Sequence, residues 1–156
     1  MTFLNDLALG EQYQSFILQL LNQHFRTKNN RYKSNENKKD VDIVATIGKP
    51  NIEVKFDRQS ASTWNIFIEY ACNWKISWVF KYEHMDVFIY WTTEEIYFFH
   101  KSHLQSFIIK SIHNKVDGTR KVSWWDRWAS KWILIKKEVA ERLAFRKLTI
   151  KYNYGD

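Results

Sequence analysis

Within KKDVDIVATIGKPNIEVKFD, residues 38–57, Asp42, Glu53 and Lys55 are of the types that hydrolyse phosphate esters. Phosphodiester hydrolysis needs a hard cation to polarise a phosphoryl oxygen and acidify an attacking water. Mg²⁺ takes oxygen ligands and keeps several waters, so two carboxylates and a backbone carbonyl suffice. Asp42 and Glu53 supply the carboxylates, and Val54, between the two polar residues, supplies the carbonyl. An ammonium at Lys55 shares a strand face with Glu53 by its i, i+2 spacing. There it can orient or deprotonate the water and offset developing charge. Acid-x-Lys also suits an ordinary solvated sheet face, so the spacing alone leaves both readings open.

These residues need strands to position them. Val41, Ile43, Ala45 and Ile47 alternate with Asp42, Val44 and Thr46, which predicts one strand. Gly48 to Asn51 carries turn chemistry. Ile52, Val54 and Phe56 then alternate with Glu53, Lys55 and Asp57 in a second strand. A symmetric four-residue loop sets Glu53 opposite Thr46 and leaves Asp42 about 13 Å along the strand. Closing that gap calls for a bulge, strong twist or an asymmetric loop, and such an irregularity is expected.

Further elements frame the hairpin. Tyr13, Phe16, Ile17, Leu20, Leu21 and Phe25 predict an amphipathic helix over residues 5–25. Residues 26–40 lack apolar periodicity and read as a solvated loop. Strands are expected over 64–70, 85–91, 95–100 and 132–137, a helix over 102–112, and a helical turn or two in EVAERLAF. This order predicts one mixed α/β (α+β) domain spanning 1–156.

The 156 residues suit a single core, and a hydrophobic share of 45% argues against disorder. A net charge of +7 favours a polyanionic partner. The lone Cys72 excludes an internal disulfide and fits a reducing, intracellular compartment. No apolar run reaches the ~18 residues of a membrane span, and MTFLNDLALG lacks a signal-peptide pattern.

The layout helix, D-x(10)-E-V-K, then FDRQSASTWNIFIEY resembles the PD-(D/E)XK nuclease superfamily, in particular its phage-type and Holliday-junction-resolvase-like members. The resemblance covers residues 10–135. It implies a restriction-endonuclease-like mixed central sheet of about five strands flanked by helices. It also implies a metal-dependent endodeoxyribonuclease using Mg²⁺ or Mn²⁺, with selectivity for branched DNA in view. The motif falls on Asp42, Glu53 and Lys55, with Glu69 and Asp57 as accessory acids. Members often carry a Glu four residues after a Gly near the helix start; here Gln14 stands at that spacing from Gly10, and Glu11 is the substitute acid. Arg26, Lys28, Arg31, Lys33, Lys38 and Lys39 in one loop would hold DNA phosphates. So would Arg120, Lys121, Arg127 and Lys131 in a loop over 120–131. A phage origin and a homodimer follow from the resemblance alone. The rival readings are a non-catalytic nucleic-acid-binding module of the same fold and an assembly protein with an aromatic interface.

Eight Trp accompany only 4 Gly, where about 11 Gly would be ordinary. Trp64, Trp74, Trp78, Trp124, Trp125, Trp128 and Trp132 fall where the resembling pattern carries glycine. UGA is read as glycine in some bacterial lineages and as tryptophan in others, so translation under the wrong code would exchange the two. These tryptophans should then sit misplaced, in turns or exposed, whereas Trp91 ends an apolar strand and suits either case. The competing reading has a real aromatic cluster, with Lys121, Arg127 and Lys131, stacking unpaired bases.

His100 and His103 lack a third zinc ligand at convincing spacing and read as exposed polar residues. Asp86 suits a structural turn or a catalytic acid equally, and Asp126 could cap a backbone amide.

Overall fold

The structure, a computed structural model, describes residues 3–24, 31–36, 41–48, 50–57, 60–81, 83–92, 94–125 and 129–150. Fifteen elements follow one another among them: α1 (Phe3–His24), β1 (Tyr32–Ser34), β2 (Ile43–Ala45), β3 (Asn51–Phe56), α2 (Ser60–Thr63), β4 (Asn65–Cys72), β5 (Lys75–Ile76), α3 (Trp78–Lys81), β6 (Val87–Trp91), β7 (Glu95–His100), α4 (Lys101–His113), β8 (Thr119–Trp125), β9 (Ala129–Lys136), α5 (Lys137–Leu143) and β10 (Arg146–Thr149).

The chain is mixed α/β, but it builds two sheets rather than one of five strands. A six-stranded sheet runs β1-β2-β3-β6-β7-β10, and a four-stranded sheet runs β5-β4-β9-β8. Within the larger sheet only β3 and β6 are parallel, pairing Ile52 with Val87 and Phe56 with Trp91. The strand that follows the E-x-K strand in sequence, β4, belongs to the second sheet and pairs with β9. The loop read over 120–131 is a hairpin instead, with β8 against β9. Part of the expected loop over 26–40 is the short strand β1, paired with β2.

Both faces of the larger sheet are covered, and the sequence shows why. β6 reads VFIYW and is buried throughout, as a strand packed on both faces should be. On one side Ile43, Ile52, Ile89, Trp91 and Phe98 meet Ile17 and Leu21 of α1. These two helix residues are four apart, and with Tyr13 they form one stripe. On the other side Phe88, Tyr90, Tyr97 and Phe99 meet Ile66 and Ile68 of β4, Ile133 and Ile135 of β9, and Leu104 and Ile108 of α4. Each such buried side chain contributes roughly 1.5–3 kcal/mol. Glu53 and Lys55 lie beside Phe88 and Tyr90 in the β3–β6 register, so they face the second sheet.

Candidate functional site

The register of the first hairpin brings the two acids together. β2 pairs Ile43 with Ile52 and Val44 with Asn51. The next pair in that register is Asp42 with Glu53. The connection is not the symmetric four-residue loop over 48–51: six residues, 45–50, separate the last paired positions, the extra ones all on the β2 side, so the departure is in the loop. Ile47 lies in this connection, exposed, rather than on the inner face of a strand. The wider loop closes the 13 Å gap, and the described pairs need no bulge.

At Asp42 the strand gives way to a bend. The Asp42 carboxylate takes over where the ladder stops: its Oδ2 accepts the Val54 amide at 2.8 Å. The Asp42 carbonyl accepts two bonds, from Gln14 Nε2 of α1 at 2.7 Å and from the Asn35 amide at 2.8 Å. The Asn35 side chain donates to the Val41 carbonyl at 3.0 Å. A helix and the end of β1 thus fix the backbone that carries the first acid. Asp57, three residues after Val54, donates its amide to Trp91 of β6. Alternation along β3 accordingly turns Val54 toward β2, and its carbonyl leaves on the same edge as its amide.

Glu53 is buried, at 2% exposure. Its Oε1 holds the Lys55 ammonium at 2.6 Å, and the lysine side chain is 41% exposed. Glu53 Oε2 is buried without a hydrogen-bond partner. The Glu53 pKa is pushed up to about 7, first by burial and further by the neighbouring Asp42 carboxylate, with Lys55 opposing. Two carboxylates this close in a dry place share a proton or a cation. The unsatisfied Oε2, the Asp42 carboxylate and the Val54 edge form a hard-oxygen donor set, which fits a divalent cation that retains waters. No cluster of three or more His, Cys, Asp or Glu side chains is present among the described residues, so such an ion would complete its shell with the carbonyl, water and substrate.

The accessory acids are placed differently. Asp57 follows β3 and its Oδ2 accepts the Tyr90 hydroxyl. Tyr90 also accepts the Phe67 amide at 3.2 Å, which joins this end of β3 to β4. Burial first, then Asp57, holds the Tyr90 pKa well above the ordinary phenol value. Glu69 alternates with the core-facing Ile66 and Ile68, and its carboxylate accepts the Ser77 hydroxyl at 2.8 Å. Glu11 is exposed on α1, and it is Gln14 that reaches Asp42.

Among the expected DNA contacts, Arg31, Lys33, Arg120 and Lys121 are exposed. Arg120, Lys121 and Lys131 stand on strands, not in a loop. Lys121 Nζ donates to the Ile112 carbonyl at 2.9 Å. Arg26, Lys28, Lys38, Lys39 and Arg127, with Asp126 and Trp128, lie outside the described residues. Asp86 has a structural bond, its Oδ2 accepting the Asn51 amide at 2.8 Å. His100 and His103 are exposed, and the His100 ring stacks on Phe145. Tyr90 reads in the sequence as one more apolar strand residue. Gln14 has no role assigned from the sequence; the Gly10 spacing was the signal.

No family model matches this chain, and no curated protein or solved structure matches it significantly. No helix among the described residues is long and apolar enough to cross a membrane.

Proposed function

We infer that the protein is a metal-dependent phosphodiester hydrolase acting on DNA, an endonuclease built around Asp42, Glu53 and Lys55. The observation that carries this reading is the buried Glu53 carboxyl set against the Asp42 carboxylate, a pair that needs a shared proton or a cation between them.

Mg²⁺ or Mn²⁺, when bound, would supply Lewis acidity to a phosphoryl oxygen and a more acidic water. Asp42, Glu53 and the Val54 carbonyl would hold it. Gln14 and Asn35 keep the Asp42 backbone in place. Lys55 brings positive charge from the solvent side to the point where phosphoryl charge develops. The net charge of +7 supports a polyanionic substrate, held by phosphate contacts that weaken with salt. Selectivity for branched DNA and action as a homodimer inside a cell belong to the same proposal.

The closed Lys55–Glu53 pair favours one alternative, a basic DNA-binding module without catalysis. Incubation with linear, single-stranded and four-way-junction DNA, with and without Mg²⁺, separates the two. The hydrolase cleaves only with metal, and Glu53→Gln or Lys55→Ala abolishes cleavage while binding persists. Binding without cleavage under any divalent metal, or cleavage unchanged in both variants, removes the catalytic assignment.

A further inference from the structure

The backbone of β4 is bracketed by two residues whose conformation does not suit their side chains. Among the described residues, three that are not glycine have positive φ: Trp64 at 56°, Asn73 at 49° and Trp74 at 66°. Asparagine visits this left-handed region readily, whereas a bulky residue there is an outlier. The Cβ of an L-residue crowds the following carbonyl, at roughly 1–2 kcal/mol per position. The glycines Gly48 and Gly118 take the same conformation, at 67° and 75°.

Each tryptophan occupies a turn whose chemistry names glycine. Cys72 pairs with Lys75 across the β4–β5 hairpin, so the loop is the two residues Asn73 and Trp74. Both have positive φ, which defines the type I′ turn, and the preferred pair for that turn is Asn-Gly. Trp64 directly follows the last residue of α2, and its amide donates to the Ser60 carbonyl at 3.1 Å. A left-handed residue closing a helical turn through this bond is the αL cap, again a glycine position.

Neither indole is buried. Trp64 is 69% exposed and Trp74 is 75% exposed. Each indole has a lysine ammonium over it, Lys137 at 5.0 Å and Lys131 at 5.5 Å. Trp91 is the contrast: it is 4% exposed, has ordinary strand geometry and packs edge-on to Tyr13 and Phe56. Trp132 is half-buried in β9 opposite Glu69 and Val122, again without positive φ.

We propose that positions 64 and 74 are glycine in the protein as its own host makes it, the tryptophans arising from UGA read under the wrong code. The proposal rests on turn geometry and stands apart from the hydrolase reading. The gene should carry UGA at codons 64 and 74 and UGG at codon 91; UGG at 64 and 74 overturns it. A second readout concerns the backbone. Trp64→Gly and Trp74→Gly are compared with Trp64→Ala and Trp74→Ala by urea unfolding. Glycine should exceed alanine at each site by about five- to thirty-fold in the folded-to-unfolded ratio, whereas Trp91→Gly should lower that ratio. Equal stability of the glycine and alanine variants at both sites overturns the glycine assignment as well.

Discussion

The carboxylate of Asp42 accepts the amide of Val54 at 2.8 Å, where β2 has already bent away from β3. A side chain stands in for a missing strand partner, and this places an acid against the middle of E-V-K. Asparagine can keep the bond through its side-chain oxygen but carries no charge. Asp42→Asn should therefore fold normally, lower the Glu53 pKa by removing one of the influences that raise it, and abolish metal-dependent cleavage. Carboxyl chemical shifts followed through a pH titration check the first two points together.

The burial of Glu53 makes stability depend on pH and on metal. Its pKa in the fold, about 7, lies above the ordinary 4.5. The neutral form is thus the one the fold prefers. This contribution is full below about pH 4.5 and is lost as pH rises through 7, amounting to roughly 3 kcal/mol. Mg²⁺ should reverse the loss by binding the ionised form. At pH 8 and about hundredfold excess over Kd, Tm should rise by about 5–10 °C. At pH 5 the shift should nearly vanish, and Glu53→Gln should remove both effects. Thermal unfolding across pH with and without Mg²⁺ tests this; a metal shift that is the same at pH 5 and pH 8 counts against the site.

Tyr90 joins the two sheets near the candidate site. Its hydroxyl donates to Asp57 and accepts from the Phe67 amide. Tyr90→Phe keeps the ring and leaves a part-buried amide without its acceptor, which costs about 1 kcal/mol. Hydrogen exchange at Phe67 should accelerate by more than at Ile68. Protection unchanged at Phe67 would show that the hydroxyl does not hold β4 in place.

Much of the architecture was legible in local pattern. The continuous apolar runs of VFIYW and EIYFFH gave β6 and β7, and the spacing of Tyr13, Ile17 and Leu21 gave the buried face of α1. The strand pair carrying Asp42, Glu53 and Lys55 was legible for the same reason, since period two fixes which residues share a face. Register was not, because it depends on where Asn35, Gln14 and the Asp42 carboxylate end the ladder, and those contacts are remote in sequence. β8 escaped notice because TRKVSWW lies at the edge of its sheet and shows no clean alternation. The placement of β4 in a second sheet is likewise a tertiary outcome: Ile66 and Ile68 signal a buried strand without saying which strand it joins.

The parallel contact of β3 with β6 has a consequence for how the molecule comes into being. Ile52 must find Val87 after the chain has completed the β4, β5 and α3 excursion between them. Closing so long a loop delays that pairing relative to the β2–β3 and β6–β7 hairpins. The niche around Glu53 is walled by Phe88 and Tyr90, so it becomes dry only when β6 has joined β3. A chain in which β6 has not yet docked beside β3 holds Glu53 in water as an ordinary acid, and its raised proton affinity appears only with that docking.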